Sequence, residues 1–162
     1  MSTIEIVWSE RAGTSSKHAR RFRDFVVDGV RLSTWVADQV TVFGWDSPEE
    51  QLRAVERLSG TAPPDMPSGR VSLYVCPECG DLGCGASGVF VERTSDSVVW
   101  RDFAYENNYD GLVHSPDDAP LGTSVLAFSR ESYDALLENL RSDAVRDAGL
   151  TSRSEVSPRS GA

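Results

Sequence analysis

Three cysteines fall within nine residues, in the run Cys76-Pro77-Glu78-Cys79-Gly80-Asp81-Leu82-Gly83-Cys84. Two thiolates separated by two residues can meet one ion, because the backbone between them curls with its amides turned toward the sulfurs. A glycine after the second cysteine, here Gly80, permits the positive φ that closes the curl. Zinc takes four tetrahedral ligands, mostly Cys and His, and Cys84 is the natural third because Gly83 and Gly85 let the chain return toward the first pair. The pattern is a single knuckle plus one cysteine, so the fourth ligand must come from elsewhere. His114 is the expected one, folding back from a loop; His18, Asp81 or a water are the alternatives. An ion held in this way is expected to be structural, because a glycine-rich turn with no core of its own gains stability from it.

Other chemistries compete for the same turn. The thiols could be reduced and metal-free, acting as small apolar groups in a tight turn. Cys76 with Cys79, or Cys79 with Cys84, could form a redox pair, although the glycines argue against the helix that would lower a thiol pKa. An iron-sulfur cluster would need a fourth cysteine that the chain lacks.

A second group of residues suggests contact rather than catalysis. Trp100, Asp102, Tyr105, Glu106, Tyr109 and Asp110 form an aromatic and acidic run. Rigid aromatics supply apolar contact area and carboxylates select a basic partner, so these residues are candidates for binding another protein. The competing reading packs Trp100 and Phe103 into a sheet and leaves the rest as solvated loop. His114 could also be a general base oriented by Asp117 or Asp118. There is no Gly-x-Ser-x-Gly elbow, His-Glu-x-x-His helix or phosphate-binding glycine loop between a strand and a helix.

The elements that must position these residues are legible in outline. Alternation of Ile4, Ile6 and Trp8 predicts a strand over residues 3–8, and a second follows over 21–27. Asp28-Gly29 is a two-residue hairpin signal, with a third extended piece at 30–32. Residues 33–39 read equally as a short helix capped by Ser33 or as more strand. Ser47-Pro48-Glu49-Glu50 predicts a helix start with a capping box, then an apolar stripe of Leu52, Ala54, Val55 and Leu58 and a stop at Gly60. Strands are expected at 71–75, 88–93 and 98–103, an antiparallel meander with the cysteine turn at one hairpin end. Residues 105–123 form a long polar loop. A strand at 124–128 precedes a helix from 129 or 130 to 141, where Tyr133, Leu136, Leu137 and Leu140 share one face. The fold class is therefore α+β, mainly antiparallel sheet packed by two amphipathic helices, with one domain over 1–150 and a disordered tail over 151–162.

Charge limits the partners. Residues 1–31 carry six basic groups against four acidic ones, while the remainder carries ten against twenty-one. A net charge of −9 over 162 residues argues against a phosphate backbone and for a basic protein. No apolar run reaches the ~20 residues that span a bilayer, and the N-terminus lacks a signal-peptide pattern, so a cytoplasmic protein is expected. An odd, local set of cysteines suits a reducing compartment or a metal.

The run LYVCPECGDLGCGASGVFVERTSDSVVWRDFAYEN resembles an uncharacterised family of small proteins from high-GC Gram-positive bacteria, in which a cysteine hairpin precedes an aromatic strand. The resemblance spans about residues 71–107 and implies no established activity. Size, acidity and fold class are also similar to those of immunity proteins that neutralise bacterial toxins, an analogy of build alone. The expectation is thus a non-enzymatic, zinc-stabilised domain that binds a protein. The alternatives are a small zinc- or thiol-dependent enzyme working through Cys76, Cys79 and Cys84, and a structural domain with metal-free cysteines.

Overall fold

Ile4–Arg11 (β1) pairs antiparallel with Arg20–Val27 (β2) along its whole length, from Ile4 opposite Val27 to Arg11 opposite Arg20. The turn into Val30–Arg31 (β3) has positive φ at both Asp28 (49°) and Gly29 (82°), the conformation a two-residue hairpin with right-handed strand twist requires. The Asp28 carboxylate accepts the Thr3 amide at 2.9 Å and so holds the neighbouring strand end. The computed structural model describes residues 1–107, 113–114 and 125–155.

Past β3 the chain forms a short 3₁₀ helix, Leu32–Trp35, the helical one of the two forms the sequence leaves open, but it begins before Ser33, which does not cap it. Leu32 is buried, and Val40 then makes a two-way backbone bridge with Val75. Helix α1 (Pro48–Ser59) starts as its sequence dictates: the Ser47 hydroxyl accepts the Glu50 amide at 3.2 Å, and Gly60 closes the C-terminus at φ 81°. The return arm of the capping box is different. The Ser47 amide donates to Asp46 Oδ1, while Glu50 pairs with Arg53 and Arg57. The buried face is Gln51, Ala54, Val55 and Leu58; Leu52 is only half-buried, because Gln51 turns inward to bond Gly44 N and Asp46 O.

The second sheet has the order β4-β5-β6-β7, built from Val71–Tyr74 (β4), Ala86–Arg93 (β5), Ser97–Glu106 (β6) and Val113–His114 (β7). Leu126–Ser129 (β8) pairs with the other end of β6. All pairings are antiparallel, as expected, with the cysteine turn joining β4 to β5. Opposite the single residue Val89, β6 carries both Asp102 and Phe103, a bulge with Asp102 at φ 53°. Helix α2 (Arg130–Glu155) lays Tyr133, Leu136, Leu137 and Leu140 into the core.

Several expected boundaries are corrected. β1 runs on to Arg11 because Arg20, Arg21 and Phe22 offer its end partners, and β7 falls inside the expected loop. β6 continues through Tyr105 and Glu106, which were expected in the loop, because Ser87 and Ala86 offer them partners across the sheet. Helix α2 passes Arg141 because Ala144, four residues beyond Leu140, is fully buried and prolongs the stripe, and its helical span takes in the first five residues of the expected tail. The two sheets share one core. Phe25 of β2 meets Trp100 of β6 edge to face at 5.4 Å, and Trp100 in turn meets Phe128 at 5.2 Å and Tyr133 at 6.0 Å.

Candidate metal centre

The cysteine turn leaves the sheet where Val75 is fixed by Val40, so Cys76 begins from an anchored point. The Gly80 amide donates back to Cys76 O at 2.8 Å with φ 70°, and the Asp81 amide reaches Cys79 Sγ at 3.4 Å. These bonds are what a sulfur-binding knuckle needs. Asp81 Oδ1 then accepts the Gly83 amide at 2.9 Å and starts a 3₁₀ turn, Leu82–Cys84, that swings Cys84 back over the first pair. Gly85 follows at φ 94°, and a β-carbon there would overlap the Tyr105 hydroxyl. That hydroxyl donates to Cys84 O at 3.4 Å, so β6 closes the knuckle from behind.

The three sulfurs all lie within 4.8 Å of one another, and Cys79 and Cys84 are 3.4 Å apart. A tetrahedral zinc with bonds of ~2.3 Å sets its sulfurs about 3.8 Å apart, a spacing that the Cys79–Cys84 pair approaches and that no pair of the set exceeds by more than about an ångström. Cys76 is half-buried and the other two are exposed. Burial raises the Cys76 thiol pKa, but the amides of Cys79 and Glu78 and the other two thiols lower it further, leaving it below its ordinary value. The Cys84 thiol, donating to the sulfurs of Cys79 and Cys76 and facing their negative charge, is pushed up to about 11. One thiolate thus forms at the expense of another. A divalent cation among them removes that conflict and can hold all three deprotonated.

The far side of the knuckle is fastened to the first sheet. Arg11 Nη1 donates to Glu78 Oε1 at 2.7 Å, and His18 Nδ1 lies 2.5 Å from Oε2. Arg20 donates to Pro77 O at 2.6 Å while its guanidinium stacks over Trp45 at 4.3 Å. Arg11 also grips Asp38 with two bonds, 2.7 and 2.9 Å. These anchors are not legible in the sequence, because bonds across fifty-seven to sixty-seven residues leave no local signal.

His18 is therefore engaged with Glu78, and Asp81 with the turn, so neither alternative fourth ligand joins the sulfurs. Among the described residues, no His, Asp or Glu joins the three cysteines in one cluster. The backbone of His114 pairs with Tyr105, whose hydroxyl touches the knuckle; the His114 side chain, like Asp117 and Asp118, is outside the described residues.

The aromatic and acidic run divides. Trp100, at 1% exposure, and Glu106, at 8%, are interior. Trp100 fills the junction between the sheets and Glu106 accepts from Arg70 Nη1 at 3.1 Å and from Ser68, so neither side chain is available to a partner. Asp102 is exposed at the bulge, with its carbonyl held by Arg70. Tyr105 is half-buried against the knuckle, and Tyr109 and Asp110 lie outside the described residues.

Beside the cysteines opens a cleft of about 710 Å³. Cys76 and Cys84 line it together with Trp35, Val36, Phe103 and Tyr105. Among the described residues, no helix is long and apolar enough to cross a membrane. No family model, curated protein or solved structure matches the chain.

Proposed function

We propose that this protein is a non-enzymatic, zinc-stabilised domain that binds another protein, with Cys76, Cys79 and Cys84 as metal ligands. The convergence of three sulfurs within 4.8 Å of one another carries the reading. Three thiolates favour zinc over the hard cations, which prefer oxygen. With the ion bound, the knuckle is held on one side by β6 through Tyr105 and on the other by Arg11 and Arg20. Zinc then acts as a clasp where the two sheets meet. The partner is expected to be basic, since residues 32–162 carry an excess of eleven acidic groups, and Asp102 and Tyr105 remain candidates for its contact.

Elemental analysis of protein purified without chelator tests the metal. About one zinc per chain is expected, falling severalfold in Cys79→Ser and in Cys84→Ser. Those two residues are exposed, so the substitutions leave the core intact. Wild-type protein free of zinc after dialysis against the metal, with its thiols shown to be reduced, removes the proposal. His114, the fourth ligand expected from the sequence, is tested in the same way: if it completes the set, His114→Ala loses affinity alongside the cysteine variants.

A further inference from the structure

Three protein thiolates leave a tetrahedral ion with one position unfilled by the knuckle. The cleft bears on the question of what fills it. Two of the three ligands, Cys76 and Cys84, form part of its wall, so a molecule in the cleft reaches the ion past that edge. Trp35 and Val36, both half-buried, also line the cleft, with Phe103 and the half-buried Tyr105. At about 710 Å³ the space is that of a small-molecule site, with more apolar than polar wall and with Arg11, Lys17, Asp38 and Glu78 also lining it. Gln39 and Ser87, bonded to each other at 2.6 Å, add to the polar part.

Resting on the zinc reading above, we infer that the cleft is a ligand site of the metal-loaded protein, taking a small thiol with an aromatic or apolar body whose sulfur occupies the ion's fourth position. The thiol loses its proton to solvent, and its sulfur replaces a water on the metal. Nothing is oxidised or reduced, since zinc has no accessible second state. The aromatic body lies against Trp35, Val36 and Phe103, which gives such a thiol an advantage over one that brings the sulfur alone.

Cobalt(II) in place of zinc makes the fourth position visible. Protein loaded with cobalt should show thiolate-to-metal charge transfer in the near ultraviolet and tetrahedral d–d bands in the visible. Titration with benzyl mercaptan should shift and strengthen the d–d bands, with half-saturation at a concentration at least tenfold lower than for 2-mercaptoethanol, a thiol of similar acidity without the ring. Val36→Ala should narrow that gap severalfold while leaving the 2-mercaptoethanol response unchanged.

The outcomes separate the two proposals. Absence of the charge-transfer band means no metal site, and the zinc reading falls with this one. Intact bands that neither thiol perturbs, or bands that change in His114→Ala before any thiol is added, give the fourth position to the protein; the ligand site is then overturned and zinc stands. Equal response to both thiols shows an open position that does not use the cleft, which also overturns the inference.

Discussion

Glu78 brings its carboxylate between the Arg11 guanidinium and the His18 ring while its neighbours on either side form the knuckle. Hydrogen bonds from Arg11 and then His18 hold its pKa down, from an ordinary value of 4.5 to about 2. Asp38, gripped by Arg11 and Lys17, is likewise lowered to about 2. A carboxylate whose pKa is lower in the folded state contributes stability above its unfolded pKa and loses it as pH falls toward the folded one. For Glu78 that window runs from about 4.5 down to about 2. Glu78→Gln should therefore melt below wild type at neutral pH, and the difference in Tm should shrink through this window. Thermal melts of both proteins between pH 7 and pH 2 check it; acid effects on the thiolates are common to both and cancel in the difference. A gap that stays constant with pH would mean that Glu78 acts by shape and not by charge. At this scale the sulfurs were readable from spacing alone, since Cys-x-x-Cys-Gly is a local pattern. Their supports were not: Arg11, Arg20 and Tyr105 reach the knuckle only because the fold brings distant segments together.

The elements divide along the same line between local and distant causes. The Asp28-Gly29 hairpin and the Ser47-Pro48 helix start were visible because each is decided by backbone chemistry within four residues. Ser47→Ala removes the hydroxyl that accepts the Glu50 amide and should cost about 1 kcal/mol, measured by urea denaturation. Ser47→Asp should recover most of it, because a carboxylate can accept the same bond and suits the positive end of the helix dipole. The end of α2 was hidden because Ala144 has too small a side chain to register in an apolar stripe, yet it is buried completely. Asn139 and Asp143 on that helix also reach back to Arg23 of β2, at 3.5 and 2.5 Å. The extension of β6 was hidden for another reason. Tyr105 and Glu106 look like loop residues until β5 is laid beside them and Arg70 is placed against Glu106.

In the whole molecule, the two sheets are joined at Trp100. Its ring lies edge-on to Phe25 from the first sheet and to Phe128 and Tyr133 from β8 and α2, and its indole nitrogen lies 3.2 Å from the Tyr133 hydroxyl, which donates onward to Leu58 O of α1 at 2.9 Å. Truncating so large a side chain in a packed interior costs roughly 3–5 kcal/mol through lost transfer energy and the cavity left behind. Against a typical domain stability of about 5–15 kcal/mol, Trp100→Ala should fold only marginally at 37 °C, or not at all, and remain measurable in the cold. The variant retains Trp8, Trp35 and Trp45, all in the N-terminal part of the chain, so its fluorescence follows the first sheet and its surroundings. Far-UV circular dichroism is dominated by the helices, of which α2, packed on α1 and on strands of both sheets, is the longer. If one core unites the sheets, both signals should move to lower urea by the same amount. A helix signal that falls early while the fluorescence midpoint stays at its wild-type value would show that the helices and the first sheet unfold separately, against a single core.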